Sequence, residues 1–221
     1  MLDSKWISLL LDNTWISIYM TLISTLIAYA IGLPLGVILV VTAPGGLRPG
    51  KTIFKILDFV VNIVRSVPFL ILLITIMPLT KLIVGKSYGP AATIVPLALA
   101  AAPFVARLVE SSLLEVDHGV IEAAQSMGAG LFTIIFKVLL AEARTSLILG
   151  ATIALGTILG YSAMAGVVGG GGLGNIAIQY GYYRNQLNVM YAAVIILVVI
   201  VQVLQIIGTK LSKKLDKRIT G

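Results

Sequence analysis

The chain has 221 residues, of which 58% are hydrophobic and 11% charged, and its mean hydropathy is +1.05. Soluble domains carry roughly 45–50% apolar and about 25% charged residues, so this composition argues against a water-soluble globular enzyme. Sixteen Lys and Arg against nine Asp and Glu give a net charge of +7, with no cysteine and one histidine, which excludes disulfides, thiolate metal sites and a His-rich metal centre within the chain.

A helix crosses the roughly 30 Å of bilayer hydrocarbon with about 20 apolar residues, so charge-free runs mark the spans. The first lies between Asp12 and Arg48, at about 14–42, with its core at Trp15–Val41. Ser17, Thr21, Ser24 and Ala28 form a stripe of small residues along it, and Gly32 and Gly36 make a GxxxG. Such faces let helices approach closely. The second span runs over about 58–80 and is interrupted by Arg65. The third covers about 88–107, the fourth 145–168 and the fifth 186–209. The fourth carries another GxxxG at Gly156 and Gly160. Pro34, Pro68, Pro96 and Pro103 each remove a backbone donor from a span or its end, where kinks are expected. The fold expected is all-α: a single polytopic membrane domain over 1–221, with five transmembrane helices.

The N-terminus is expected to persist as the first span. Its apolar run is too long for a signal core, and Asp3 and Asp12 flank it beside Lys5. Five spans place the ends on opposite sides. One set of loops holds Arg48, Lys51, Lys55, Arg107, Lys137, Arg144, Lys210, Lys213, Lys214, Lys217 and Arg218, which is 11 charges. The other holds Lys5, Lys81, Lys86 and Arg184, which is 4. The positive-inside rule then puts the N-terminus outside and the C-terminus in the cytoplasm. The longest cytoplasmic segment is 108–142.

Within that segment, 117–129 reads DHGVIEAAQSMGA. Glu, Ala, Gln and Met favour helix, Asp117 can cap its start and Gly128 can end it. A helix of about two turns is marginal alone and needs a surface to dock on. An apolar stretch, Leu131–Leu140, leads on into the fourth span.

Here a resemblance becomes specific. Glu122-Ala123-Ala124, then Gly128, then Val138-Leu139-Leu140 is similar to the EAA loop of permease subunits of type I ABC importers. Arg65-Ser66-Val67-Pro68-Phe69 resembles the amino-acid-importing permeases. The run Leu159–Gly166, with Gly169–Gly174 and Gln179–Tyr182 after it, resembles the methionine-import branch. One position departs from the pattern: Ala141 stands where the loop often closes with proline.

The resemblance implies a bacterial inner-membrane subunit that works as a homodimer with a second copy of itself. It implies two ATP-binding subunits on the cytoplasmic side, an external substrate-binding protein, and ATP with Mg²⁺ held by the partner. It implies that the loop is a coupling helix: Glu122 a polar contact, Ala123 and Ala124 small residues for a groove, and Gly128 the turn. Tyr161 and Met164 are expected to form a constriction along the path, with Ser162 as a polar contact. Arg65 has two roles open to it, a snorkelling or intersubunit charge and a charge on the pathway. Methionine is the expected substrate. Another amino acid or small polar solute, and an energy-independent pore or structural subunit, are the alternatives.

No nucleophile–base–acid set is apparent, so no catalysis is expected in this chain. The run Gly169-Gly170-Gly171-Gly172-Leu173-Gly174 satisfies GxGxxG, but it follows a membrane span rather than a strand, so it does not read as a nucleotide site. It is expected to be a mobile external loop. No metal or nucleic-acid site is expected.

Overall fold

The computed structural model describes residues 4–215. Lys217 and Arg218, which entered the charge count, and Asp3, which flanks the first span, lie outside them. Among the described residues every regular element is helical. In chain order these are α1 (Ser4–Thr42), α2 (Lys51–Ser66), α3 (Phe69–Thr75), α4 (Met77–Val84), α5 (Pro90–Leu114) and α6 (His118–Ser126). Then come α7 (Leu131–Thr133), a π-helical stretch Ile134–Leu139, and α8 (Leu140–Glu142). They are followed by α9 (Arg144–Ala165), a 3-10 turn Gly166–Val168, α10 (Gly172–Ile176), a second π-helical stretch Ala177–Tyr182, and α11 (Leu187–Leu215).

Among the described residues four helical stretches are long and apolar enough to cross a bilayer: Ser4–Thr42, Pro90–Leu114, Arg144–Tyr182 and Leu187–Leu215. The bent pair α2 and α3 makes five when counted as one crossing. The second expected span is therefore not one continuous helix over 58–80. It is broken after Ser66 by a 102° bend. The cause is local. Pro68 pushes the residue before it out of the α region, and Val67 sits at φ −81°, ψ 125°. Pro34, Pro96 and Pro103, in contrast, lie inside helices that continue through them.

The centre of the bundle is the pair α1 and α5, the most extensive helix contact in the chain. These helices run parallel, with Gly32 against Ala102 and Val105 and Gly36 against Ala106 and Val109. A Cβ on Gly32 or Gly36 would lie 2.6 Å from a carbonyl oxygen of α5. The small-residue stripe of α1 is buried, and within this seam the Ser24 hydroxyl donates to the Ile94 carbonyl at 3.5 Å. So the first GxxxG closes an interface within this chain. Antiparallel α9 and α11 pack beside it. Arg144 donates to the Leu215 carbonyl at 2.7 Å and Ser212 to that of Thr145 at 3.2 Å.

The two ends of the bundle differ. The basic end gathers the C-termini of α1, α5 and α11 and the N-terminus of α9. The glycine end holds Gly169–Gly174. That run is no mobile loop, contrary to expectation. Gly172, Leu173 and Gly174 are buried. The Leu173 N–H donates to Ser17 Oγ at 2.9 Å, the Gly89 N–H to the Gly169 carbonyl at 3.1 Å, and the Thr93 hydroxyl to the Gly170 carbonyl at 3.3 Å. Gly171 and Gly172 take φ of +86° and +76°, a region open to glycine without a steric cost. The run folds α10 back against α1, where Leu10, Leu173, Ile176, Val189 and Ala193 share a small core.

Candidate functional site

The basic end carries α6, bounded as its sequence directs. The Asp117 carboxylate accepts from the Gly119 N–H at 2.6 Å, an N-cap bond to the second residue of the helix. At the other end Gly128 is left-handed, at φ +79°. The Ala129 N–H donates to the Ala124 carbonyl at 3.0 Å and the Gly128 N–H to that of Gln125 at 2.9 Å. This pair of bonds is a Schellman motif. Both ends are closed, so the helix stands without neighbours on most of its circumference.

The structure separates the two alanines. Ala123 is exposed, whereas Ala124 is 6% exposed and packs into the main core with Ile121 and Leu139. Ala124 therefore anchors the helix and is not free to enter a partner's groove. Its place on the outer face is taken by side chains the sequence reading passed over. Met127 is 82% exposed, Phe132 75% and Phe136 64%. Only Met127 had a readable signal, a large apolar residue beside the polar helix; Phe132 and Phe136 were hidden among the other apolar residues of Leu131–Leu140. Glu122 is exposed, with His118 Nδ1 3.8 Å from its carboxylate. A cavity of about 320 Å³ opens between α6 and the turn Ala43–Leu47, with Glu122 and Gln125 on its wall.

The expected constriction residues part company. Tyr161 stacks on Phe69 of α3, with ring centroids 4.6 Å apart and planes 2° apart. Met164 is 47% exposed. Ser162 is buried and its hydroxyl donates to the Leu159 carbonyl of its own helix at 2.7 Å. Ser162 therefore does not present a polar contact beside Met164. Ile153, Gly156, Gly160 and Met164 follow one stripe of α9, and a Cβ on either glycine would meet nothing within 4 Å. Among the described residues no helix packs into this second GxxxG. It borders an apolar groove of about 240 Å³ shared with Leu197 and Val201 of α11.

A polar cluster clamps α2 to α5, and the sequence reading had assigned its central arginine to a loop. Arg107 forms ion pairs with Asp58 and, at 2.6 Å, with Glu110, and donates to Asn62 Oδ1 at 2.9 Å. Arg107 lies about 25 Å along α5 from Pro90, at 1.5 Å per residue, so the cluster sits in the basic half of the span. The readable signal was the spacing of Arg107 from Glu110 and of Asp58 from Asn62, one helical turn each. Arg107→Met is expected to destabilise the folded chain by about 1–3 kcal/mol, since it strands Asp58 and Glu110. A thermal-unfolding midpoint in detergent equal to that of the wild type would exclude this. Arg65 stands apart: it is exposed and forms no ion pair among the described residues.

The family described as binding-protein-dependent transport system inner membrane component matches residues 32–221. A probable D-methionine transport system permease protein of Vibrio cholerae is 52% identical over 210 residues, covering 95% of this chain and 93% of that protein. The methionine import system permease protein of Bacillus subtilis is 47% identical over 181 residues, 82% of each. Among solved structures, an inward-facing MetNI methionine ABC transporter superposes with a TM-score of 0.96 at 44% identity, covering 98% of this chain and 100% of that one. With the helical architecture, the closed helix at the basic end and these matches together, the chain belongs to the family of binding-protein-dependent transport system inner membrane components.

Proposed function

We propose that this chain is the transmembrane subunit of an ATP-driven methionine importer. Two copies form the path, two ATP-binding subunits dock on α6, and an external binding protein delivers substrate at the glycine end. The observation that carries the reading is α6 itself: a helix capped at both ends, anchored by Ala124, and presenting Val120, Ala123 and Met127 outward. The names of the relatives support methionine and an ATP-binding partner. The 11-to-4 charge bias supports a cytoplasmic basic end, with the N-terminus outside. The open GxxxG stripe on α9 gives a second copy a close-packing face.

ATP and Mg²⁺ belong to the partner, because phosphoryl transfer needs a phosphate cradle and a lysine that no motif here supplies. This chain contributes the mechanical part. Closure of the ATP-binding pair displaces α6, and the bundle changes from inward-open to outward-open. A solute moves vectorially only because ATP shifts the populations of those two states. Met164, exposed near the glycine end of α9, and the Tyr161–Phe69 stack form the constriction. A thioether is apolar and adaptable, which suits a gate for a zwitterion with an apolar side chain.

The test is uptake of labelled methionine into proteoliposomes holding the assembled complex, ATP inside and loaded binding protein outside. ATP-dependent accumulation is expected. Failure of any ATPase to co-purify would leave a pore or structural subunit. ATP hydrolysis stimulated by a different loaded binding protein would move the reading to another amino acid. Met164→Ala is expected to raise ATP hydrolysis without substrate and to lower net accumulation. Unchanged values of both would remove Met164 from the gate.

A further inference from the structure

The helix α2 has two distinct faces. At 100° per residue, Lys51, Lys55, Asp58, Asn62, Arg65 and Ser66 fall within an arc of about 100°. Ile53, Ile56, Val60 and Ile63 occupy the opposite arc and are exposed. On one flank Phe54, Leu57 and Val61 pack against Leu39 and Ala106. The apolar arc suits lipid or a second copy. The polar arc does not, since ionisable residues within membrane segments face the bundle interior or a water-filled cavity. That arc runs the length of the helix, from the basic end to the bend at Val67.

Arg65 stands at the deep end of the arc, about 21 Å along the helix from Lys51. Asp58, the one carboxylate on the stripe, is engaged by Arg107. Among the described residues Arg65 is therefore the unpaired cation nearest the bend, four residues before Phe69, whose ring stacks on Tyr161. A guanidinium presents a planar fork of donors that matches a carboxylate.

We propose that the polar arc of α2 lines a water-filled vestibule open at the basic end, and that Arg65 at its closed end binds the carboxylate of the amino-acid substrate as it leaves the constriction. The vestibule follows from the arc alone. The assignment of Arg65 rests on the amino-acid transport reading above.

The chain contains no cysteine, so single substitutions give single labels. In inside-out vesicles holding the full complex, Asn62→Cys and Ser66→Cys are expected to react about tenfold or more faster with a charged, membrane-impermeant maleimide than Val60→Cys and Ile63→Cys, since only a hydrated thiol ionises and reacts. Equal or reversed rates would overturn the vestibule. This arm needs no knowledge of the substrate, so it stands even if the transported solute is not methionine.

For Arg65, the Gln variant is expected to lose about tenfold or more of maximal methionine uptake, and the Lys variant about threefold or less, as a charge-assisted bond is removed or only weakened. ATP hydrolysis stimulated by loaded binding protein should persist in both. Uptake by Arg65→Gln at the wild-type rate would overturn the assignment. Loss of ATP hydrolysis together with uptake would also overturn it, because that marks a structural role.

Discussion

Gly128→Val is expected to uncouple transport from ATP hydrolysis. Nothing lies within 4 Å of a Cβ built at Gly128, so the effect does not come from crowding. It comes from the backbone, which stands at φ +79°. The left-handed conformation costs an L-residue roughly 1–2 kcal/mol, and a β-branched side chain fits it worst. To escape that conformation the chain must give up the bonds from Gly128 to Gln125 and from Ala129 to Ala124. The helix then loses its fixed angle to the segment 131–142, and the exposed row of Ala123, Met127 and Phe132 no longer forms one surface. We expect uptake in proteoliposomes to fall about tenfold or more, as loss of an interface hot spot of 1.4 kcal/mol or more implies. The ATPase should co-purify in reduced amount. Gly128→Asn, which tolerates the left-handed region, should stay within about twofold of wild type. Wild-type coupling in the Val variant would exclude α6 as the docking element.

Gly174→Ala is expected to prevent correct folding. A single methyl there would lie 2.1 Å from the Ala163 carbonyl oxygen and 2.5 Å from the Ala163 Cα. Gly166 is locked the same way, with Asn175 N 2.3 Å from its built Cβ. Both obstacles are backbone, so no side chain can rotate aside. Overpacking of a fitted interior costs about 1–3 kcal/mol even where neighbours adjust, and here they do not. The measurement is yield of monodisperse complex and its thermal midpoint in detergent. The contrasting variant is Gly156→Ala on the open stripe of α9, the face that the proposed dimer packs against a second copy. Within one chain it is neutral or mildly favourable, by up to about 1 kcal/mol of helix propensity. A clear loss at Gly156 would report a second copy packed there. A Gly174→Ala protein with unchanged yield and midpoint would show that α10 does not sit where it is described.

What could be read in the sequence was what is encoded locally. Asp117 and Gly128 define α6 by short-range hydrogen bonds, so its limits were visible in 13 residues. Charge-free runs marked the spans. The break in the second span was written in Val67-Pro68, but the apolar run continuing past it hid the bend. What depended on tertiary packing was lost. Nothing in Glu122-Ala123-Ala124 distinguishes the exposed alanine from the buried one; the core at Ile121 and Leu139 decides that. The glycine run looked free because glycine is flexible, yet Ser17, 156 residues away from Leu173, pins it. Ser162 looked like a pathway hydroxyl, but its donor is spent on Leu159. Arg107 was counted among loop charges because its partner, Asp58, lies 49 residues back in the chain.

The seam between α1 and α5 bears on how force travels through the subunit. Two parallel rods in backbone contact along their length are far stiffer against bending than either alone, because neither can curve without shearing past the other. Only Glu115, Val116 and Asp117 separate the end of α5 from α6. A thrust on α6 therefore enters a rigid strut with little slack before it. The second crossing, broken by the 102° bend between α2 and α3, offers no such continuous strut.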